Sequence, residues 1–117
     1  MKVEKDIFRL EHILESIEKI SKIVNSLHHF DFFEERWLEQ DAMLRNFEII
    51  GEASAHISDE IKEKFTEIPW SEIKGMRNFI IHEYFGVDLE SVWKTATVDL
   101  PILKIQIVEI LVELKKN

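Results

Sequence analysis

Between residues 3 and 27, apolar side chains fall at Val3, Ile7, Leu10, Ile13, Leu14, Ile17, Ile20, Val24 and Leu27, a run of three- and four-residue steps. That spacing gathers them on one face of a long amphipathic helix. The remaining 90 residues carry little that would end or bend such elements often, because the whole chain of 117 has three Gly and two Pro. An all-β fold needs many more turns than that supply permits. The expected fold class is therefore all-α, an up-and-down bundle of about five helices. A chain of this length fits a single domain, residues 1–117, with one core and no need of a disulfide or metal staple.

The absence of Cys removes disulfides, thiolate catalysis and Cys-based zinc sites, and suits a reducing compartment such as the cytoplasm. The N-terminus has charges but no apolar run behind them, so no signal peptide is expected. Residues 98–114 are long and apolar enough to raise the question of a membrane span, yet they include Asp99, Lys104, Gln106, Glu109 and Glu113. Those groups are costly in lipid, and a buried helix of a protein without membrane contact is the expectation. A formal net charge of -8 excludes nucleic-acid binding through the whole surface, since phosphates are met by Lys and Arg. Any RNA contact must come from a local cationic site.

Residues 25–33 interrupt the first periodicity and read as a connection. His28 and His29 adjoin there, but neighbouring side chains diverge and no third ligand is spaced to join them, so no metal is assigned. A second long helix is expected over residues 34–57, with Trp37, Leu38, Ala42, Met43, Phe47, Ile49, Ile50, Ala53 and Ile57 as core candidates. On it Arg45, Glu48, Glu52 and His56 are three and four residues apart, line one side and can pair. Gly51, which costs about 1 kcal/mol relative to Ala in a helix, points to a close crossing there. Ser58 suits the N-cap of a short helix to Phe65, and Pro69 opens a central helix that Gly86 would stop. Asp88 is placed to cap a helix over residues 89–96 with Leu89, Val92 and Trp93 inward. Thr97 or Asp99 would then cap a last helix, apolar on most sides and expected to be covered all round.

The central stretch, residues 70–86, holds Arg77, Asn78, His82 and Tyr84 within an apolar helical pattern. At about 100° per residue, Tyr84 returns to within about 20° of Arg77 two turns on, while His82 lies roughly 140° from Arg77 and shares a face with Asn78. One straight helix does not aim Arg77 and His82 at one point. The Arg side chain curling round, a distorted helix, or a two-fold partner bringing a second copy would each solve this. A neutral imidazole can take a proton from a ribose 2′-OH near neutral pH. A guanidinium can hold a phosphate and stabilise its growing charge. Spacing alone also suits a hydrogen-bonded, half-buried imidazole at His82.

The runs Arg45-Asn46-Phe47-Glu48-Ile49-Ile50-Gly51-Glu52-Ala53, Pro69-Trp70, Gly75-Met76-Arg77-Asn78-Phe79-Ile80-Ile81-His82-Glu83-Tyr84 and Gly86-Val87-Asp88 to Trp93 resemble the HEPN superfamily. Within it they resemble the HepT-like toxins that are paired with minimal nucleotidyltransferase antitoxins. The resemblance implies an all-α homodimer with an RNase site built from both copies, and cleavage by an imidazole and a guanidinium needs no metal. It implies Arg77 and His82 as the catalytic pair, Asn78 as the residue that positions RNA, and Tyr84 as the residue the nucleotidyltransferase adenylylates to silence the toxin. No cofactor and no metal ligand are implied. The competing expectations are a non-catalytic nucleotide-binding or regulatory subunit of a nucleotidyltransferase, and a purely structural dimerisation module.

Overall fold

The computed structural model describes residues 2–78 and 88–116, and every regular element among them is helical. Helices α1 (Lys2–Leu27), α2 (Phe30–Glu34), α3 (Trp37–Ala55), α4 (Asp59–Lys64) and α5 (Trp70–Lys74) lead into a 3-10 turn, Gly75–Arg77. Helix α6 (Leu89–Lys94) passes through a π-helical turn, Thr95–Asp99, into α7 (Leu100–Lys115). The all-α class expected from the scarcity of turn formers is the one observed. At about 1.5 Å per residue α1 is about 39 Å long, and it sets the long axis of a body measuring 46 × 26 × 22 Å.

The α1 stripe is the spine of the core. Leu10, Ile13, Ile17 and Ile20 are buried against Met43, Leu44, Phe47 and Ile50 of α3 and Leu103, Ile107 and Ile110 of α7. Each such side chain contributes about 1.5–3 kcal/mol on burial, so this three-helix seam dominates the stability of the fold. On α3, Leu38 and Ala42 are exposed, contrary to the expectation, because they lie on the far side of the helix from Met43, Phe47 and Ile50; Trp37, also exposed, precedes that stripe by more than a turn. Leu44 takes the place expected of them.

The corners are held by local bonds. His28 ends α1 with a left-handed backbone, φ 67°. His29 then caps α2, its Nδ1 accepting the Asp31 N–H at 3.2 Å. The expected connection thus contains a five-residue helix, anchored by the fully buried Phe33, whose ring lies 5.1 Å from that of Trp93 on α6. Ser58 caps α4 as expected, its Oγ accepting the Ile61 N–H at 3.4 Å. The buried carboxylate of Asp6 reaches across from α1 to accept the Ser58 N–H at 2.9 Å and the Ser58 hydroxyl at 2.6 Å. One α1 residue thereby fixes the α3–α4 corner.

The last helix differs from expectation in two ways. Neither Thr97 nor Asp99 caps it. Thr97 Oγ1 donates back to the Trp93 carbonyl at 2.9 Å, and Asp99 makes no capping bond. The chain stays helical from α6 to α7, with the Leu100 N–H bonded five residues back to Thr95. Pro101 explains the wide turn, since it lacks an N–H and its ring presses on the carbonyl four residues before it. Nor is α7 covered all round: Ile102, Ile105, Val108 and Val112 are exposed, as is Val98 in the π turn before it. No helix among the described residues is long and apolar enough to cross a membrane.

Candidate functional site

Gly51 builds the site. A Cβ at this position would lie 2.7 Å from the Arg77 backbone nitrogen and 3.0 Å from both the Arg77 Cβ and the Lys74 carbonyl oxygen. The bare glycine therefore lets the Gly75–Arg77 turn rest directly on α3, which is the close crossing its sequence position suggested. The partner at that crossing is a 3-10 turn and not the continuous helix expected from Pro69 onward. Gly75, a weak helix former, and the backbone contact at Gly51 both favour the tighter winding there. Azimuths reckoned at 100° per residue consequently do not carry through from Lys74 to Arg77.

Next to Gly51, Glu52 is the meeting point of two partners, a guanidinium and an imidazole. Its Oε2 accepts from Arg77 Nη1 at 3.4 Å, and its Oε1 lies 3.5 Å from His56 Nε2. One turn earlier on the same side, Arg45 pairs with Glu48. The spacing of Arg45, Glu48, Glu52 and His56 thus produced the pairing it promised, with Arg77 added from another element. The Arg77 side chain is 39% exposed and that of Glu52 59%, and a pair this open contributes about 0–1 kcal/mol. Glu52 orients the guanidinium without locking it away, so an incoming phosphate can replace the carboxylate.

The Arg45 to His56 side of α3 forms one wall of an open groove of about 710 Å³, whose other wall is α1, contributed by Lys5, Phe8, Arg9 and His12. Ile49 and Ala53 line it between the charged residues. Because Glu52 and His56 belong to both, the groove opens where the Arg77 ion pair ends. The α1 wall was not singled out in the sequence. Its signal was Phe8, an aromatic residue off the main stripe, with His12 four residues on; their rings are 4.6 Å apart.

Of the residues assigned from the motif, Arg77 is half-buried beside α3 and Asn78 is exposed at the end of the 3-10 turn. His82 and Tyr84, like the helix stop at Gly86, lie outside the described residues. No group of three or more His, Asp or Glu among the described residues is arranged to hold a metal ion.

A family model described as "HepT-like: Ribonuclease HepT-like" matches residues 13–110, which include the α3 wall and the Arg77 turn. The chain belongs to the HepT-like ribonuclease family. Among its relatives, a protein of Thermococcus cleftensis named "Probable ribonuclease HepT" is 44% identical over 81% of this chain and 86% of its own length. A protein of Methanocaldococcus jannaschii named "Gamma-glutamylcyclotransferase and putative RNase" is 46% identical over 92% of this chain. The chain spans 48% of that protein's length. No solved structure matches the chain significantly. This HepT-like chain therefore pairs a family of ribonucleases with a half-buried guanidinium held by Glu52 at the edge of a groove.

Proposed function

We propose that this chain is the toxin of a toxin-antitoxin module, a metal-independent endoribonuclease in which Arg77 and His82 act on one RNA phosphate. The observation that carries the reading is the placement of Arg77 in a HepT-like ribonuclease: a guanidinium set by backbone contact at Gly51, loosely paired, and facing solvent beside a groove. In the reaction, His82 takes the proton of the ribose 2′-OH as the 2′-oxygen attacks phosphorus. Arg77 stabilises the added negative charge. The bond to the 5′-oxygen breaks, that oxygen picks up a proton, and the products end in a 2′,3′-cyclic phosphate and a 5′-hydroxyl. No step requires a metal. Asn78, next to Arg77 and exposed, positions RNA through its amide.

The site is completed in a homodimer that brings two copies of the motif to a common cleft. Support for self-association comes from α7 and the π turn before it, where the exposed apolar residues sit at -7, -3, 0, +3 and +7 from Ile105. A spacing symmetric about one residue is self-complementary under a two-fold axis, as an isologous interface requires. A minimal nucleotidyltransferase antitoxin silences the enzyme by transferring AMP to Tyr84. The added charge and bulk oppose an RNA phosphate.

The test is the intact mass of the chain produced with and without a minimal nucleotidyltransferase, with RNA cleavage assayed on both. The reading expects one AMP added, absent in Tyr84→Phe, with cleavage lost in the modified protein. Modified protein that cleaves as well as unmodified protein would refute the silencing step.

A further inference from the structure

The groove between α1 and α3 is larger than a single phosphate contact requires. Its volume of about 710 Å³ falls within the range of about 300–1,000 Å³ typical of sites for small organic ligands. Its walls differ in kind from the rest of the surface. The chain as a whole carries a net charge of -8, yet the groove is balanced, with Lys5, Arg9 and Arg45 against three glutamates and with two histidines besides. Phe8 is 51% exposed on the α1 wall, and its ring is braced by His12 at 4.6 Å. A braced, half-exposed aromatic ring flanked by guanidinium groups on both walls is what single-stranded nucleic acid uses: a platform for a flat base and donors for the phosphates beside it.

We propose that this groove is an RNA subsite in which Phe8 stacks on a base adjoining the scissile phosphate, while Arg9 and Arg45 meet the backbone on either side. The inference rests on the ribonuclease reading and extends it from the reacting phosphate to the neighbouring nucleotide. Glu52 links the two places, because it lines the groove and holds Arg77. A strand whose phosphate displaces Glu52 from Arg77 enters the groove directly. Arg45 is then freed for RNA by exchanging its Glu48 partner for a phosphate. A second copy of the chain is the poorer occupant. It would bury charges from both walls, whereas the centre of a protein interface is depleted in charge, and α7 already offers an apolar face elsewhere.

The experiment measures binding of a 2′-O-methyl oligoribonucleotide, which cannot be cut by 2′-OH attack, to the full chain and its variants by fluorescence anisotropy. Phe8→Ala should weaken binding about 5- to 100-fold, the loss of one stacked base, and Phe8→Trp should restore it. Phe32→Ala removes another exposed aromatic, one that does not line the groove, and should leave affinity unchanged. Sedimentation of each variant shows whether its assembly matches that of the parent. Unchanged affinity in Phe8→Ala, with RNA cleavage by the parent intact, overturns the subsite and spares the ribonuclease reading. Loss of self-association in Phe8→Ala overturns it in favour of a contact between chains. A parent chain that neither binds nor cuts RNA overturns both.

Discussion

A methyl group at position 51 would meet the Arg77 nitrogen at 2.7 Å and the Lys74 carbonyl at 3.0 Å, both backbone atoms that cannot rotate aside. Gly51→Ala gains about 1 kcal/mol of helix propensity but incurs an overpacking cost of about 1–3 kcal/mol. The net effect is a loss of up to about 2 kcal/mol, read as a lower urea midpoint. RNA cleavage should fall further than stability does, because the displaced turn carries Arg77. Gly51 was legible in the sequence, since a glycine inside a long helix asks for a close neighbour. The identity of that neighbour was not, because it comes from a turn more than twenty residues away. The same holds along α3: the spacing of Arg45, Glu48, Glu52 and His56 announced mutual pairing, and only the folded chain adds Arg77 to Glu52. Phe8 escaped notice because a lone aromatic beside a good stripe reads as part of the core until its exposure is known.

Helix starts were legible where one side chain settles them. Asp88 caps α6 by accepting the Glu90 N–H at 3.1 Å and the Ser91 hydroxyl at 2.7 Å. The Ser91 hydroxyl, helped by the backbone N–H groups of Ser91 and Glu90, holds the Asp88 carboxyl below the usual carboxylate range. A pKa lowered by folding favours the native state above the ordinary carboxylate pKa, and the benefit is lost as pH falls through the lowered value. An NMR titration should therefore find the Asp88 midpoint below the ordinary carboxylate value, and Ser91→Ala should raise it. A midpoint unmoved by Ser91→Ala would contradict the cap. The π turn at Thr95–Asp99 was not legible, because Pro101 looked like a helix opening when read locally. Packing of both α6 and α7 against the same core keeps the chain helical through it. Likewise α2 is too short to show a period and is held by Phe33.

On the scale of the molecule, the fold class followed from composition and from the stripe on α1, but the outer face of α7 did not. Its apolar residues on all sides suggested complete burial, whereas four of them, and Val98 in the turn before it, remain exposed. Pairing about Ile105 would set Val98 against the second copy's Val112 and Ile102 against its Val108. Ile105→Cys should then form a disulfide-linked dimer on mild oxidation, and Ile105→Glu should lower the sedimenting mass; an unchanged mass would remove α7 from the interface. The net charge of -8 also makes RNA binding a local affair, with affinity falling steeply as salt rises. The central proposal is that Arg77 and His82 cut RNA without a metal. Its most direct measurement is cleavage of single-stranded RNA by the unmodified chain in excess chelator, beside Arg77→Ala and His82→Ala. Cleavage is expected from the parent alone, leaving 2′,3′-cyclic phosphate ends. RNA left intact by the parent, or cut equally by the two variants, would contradict it.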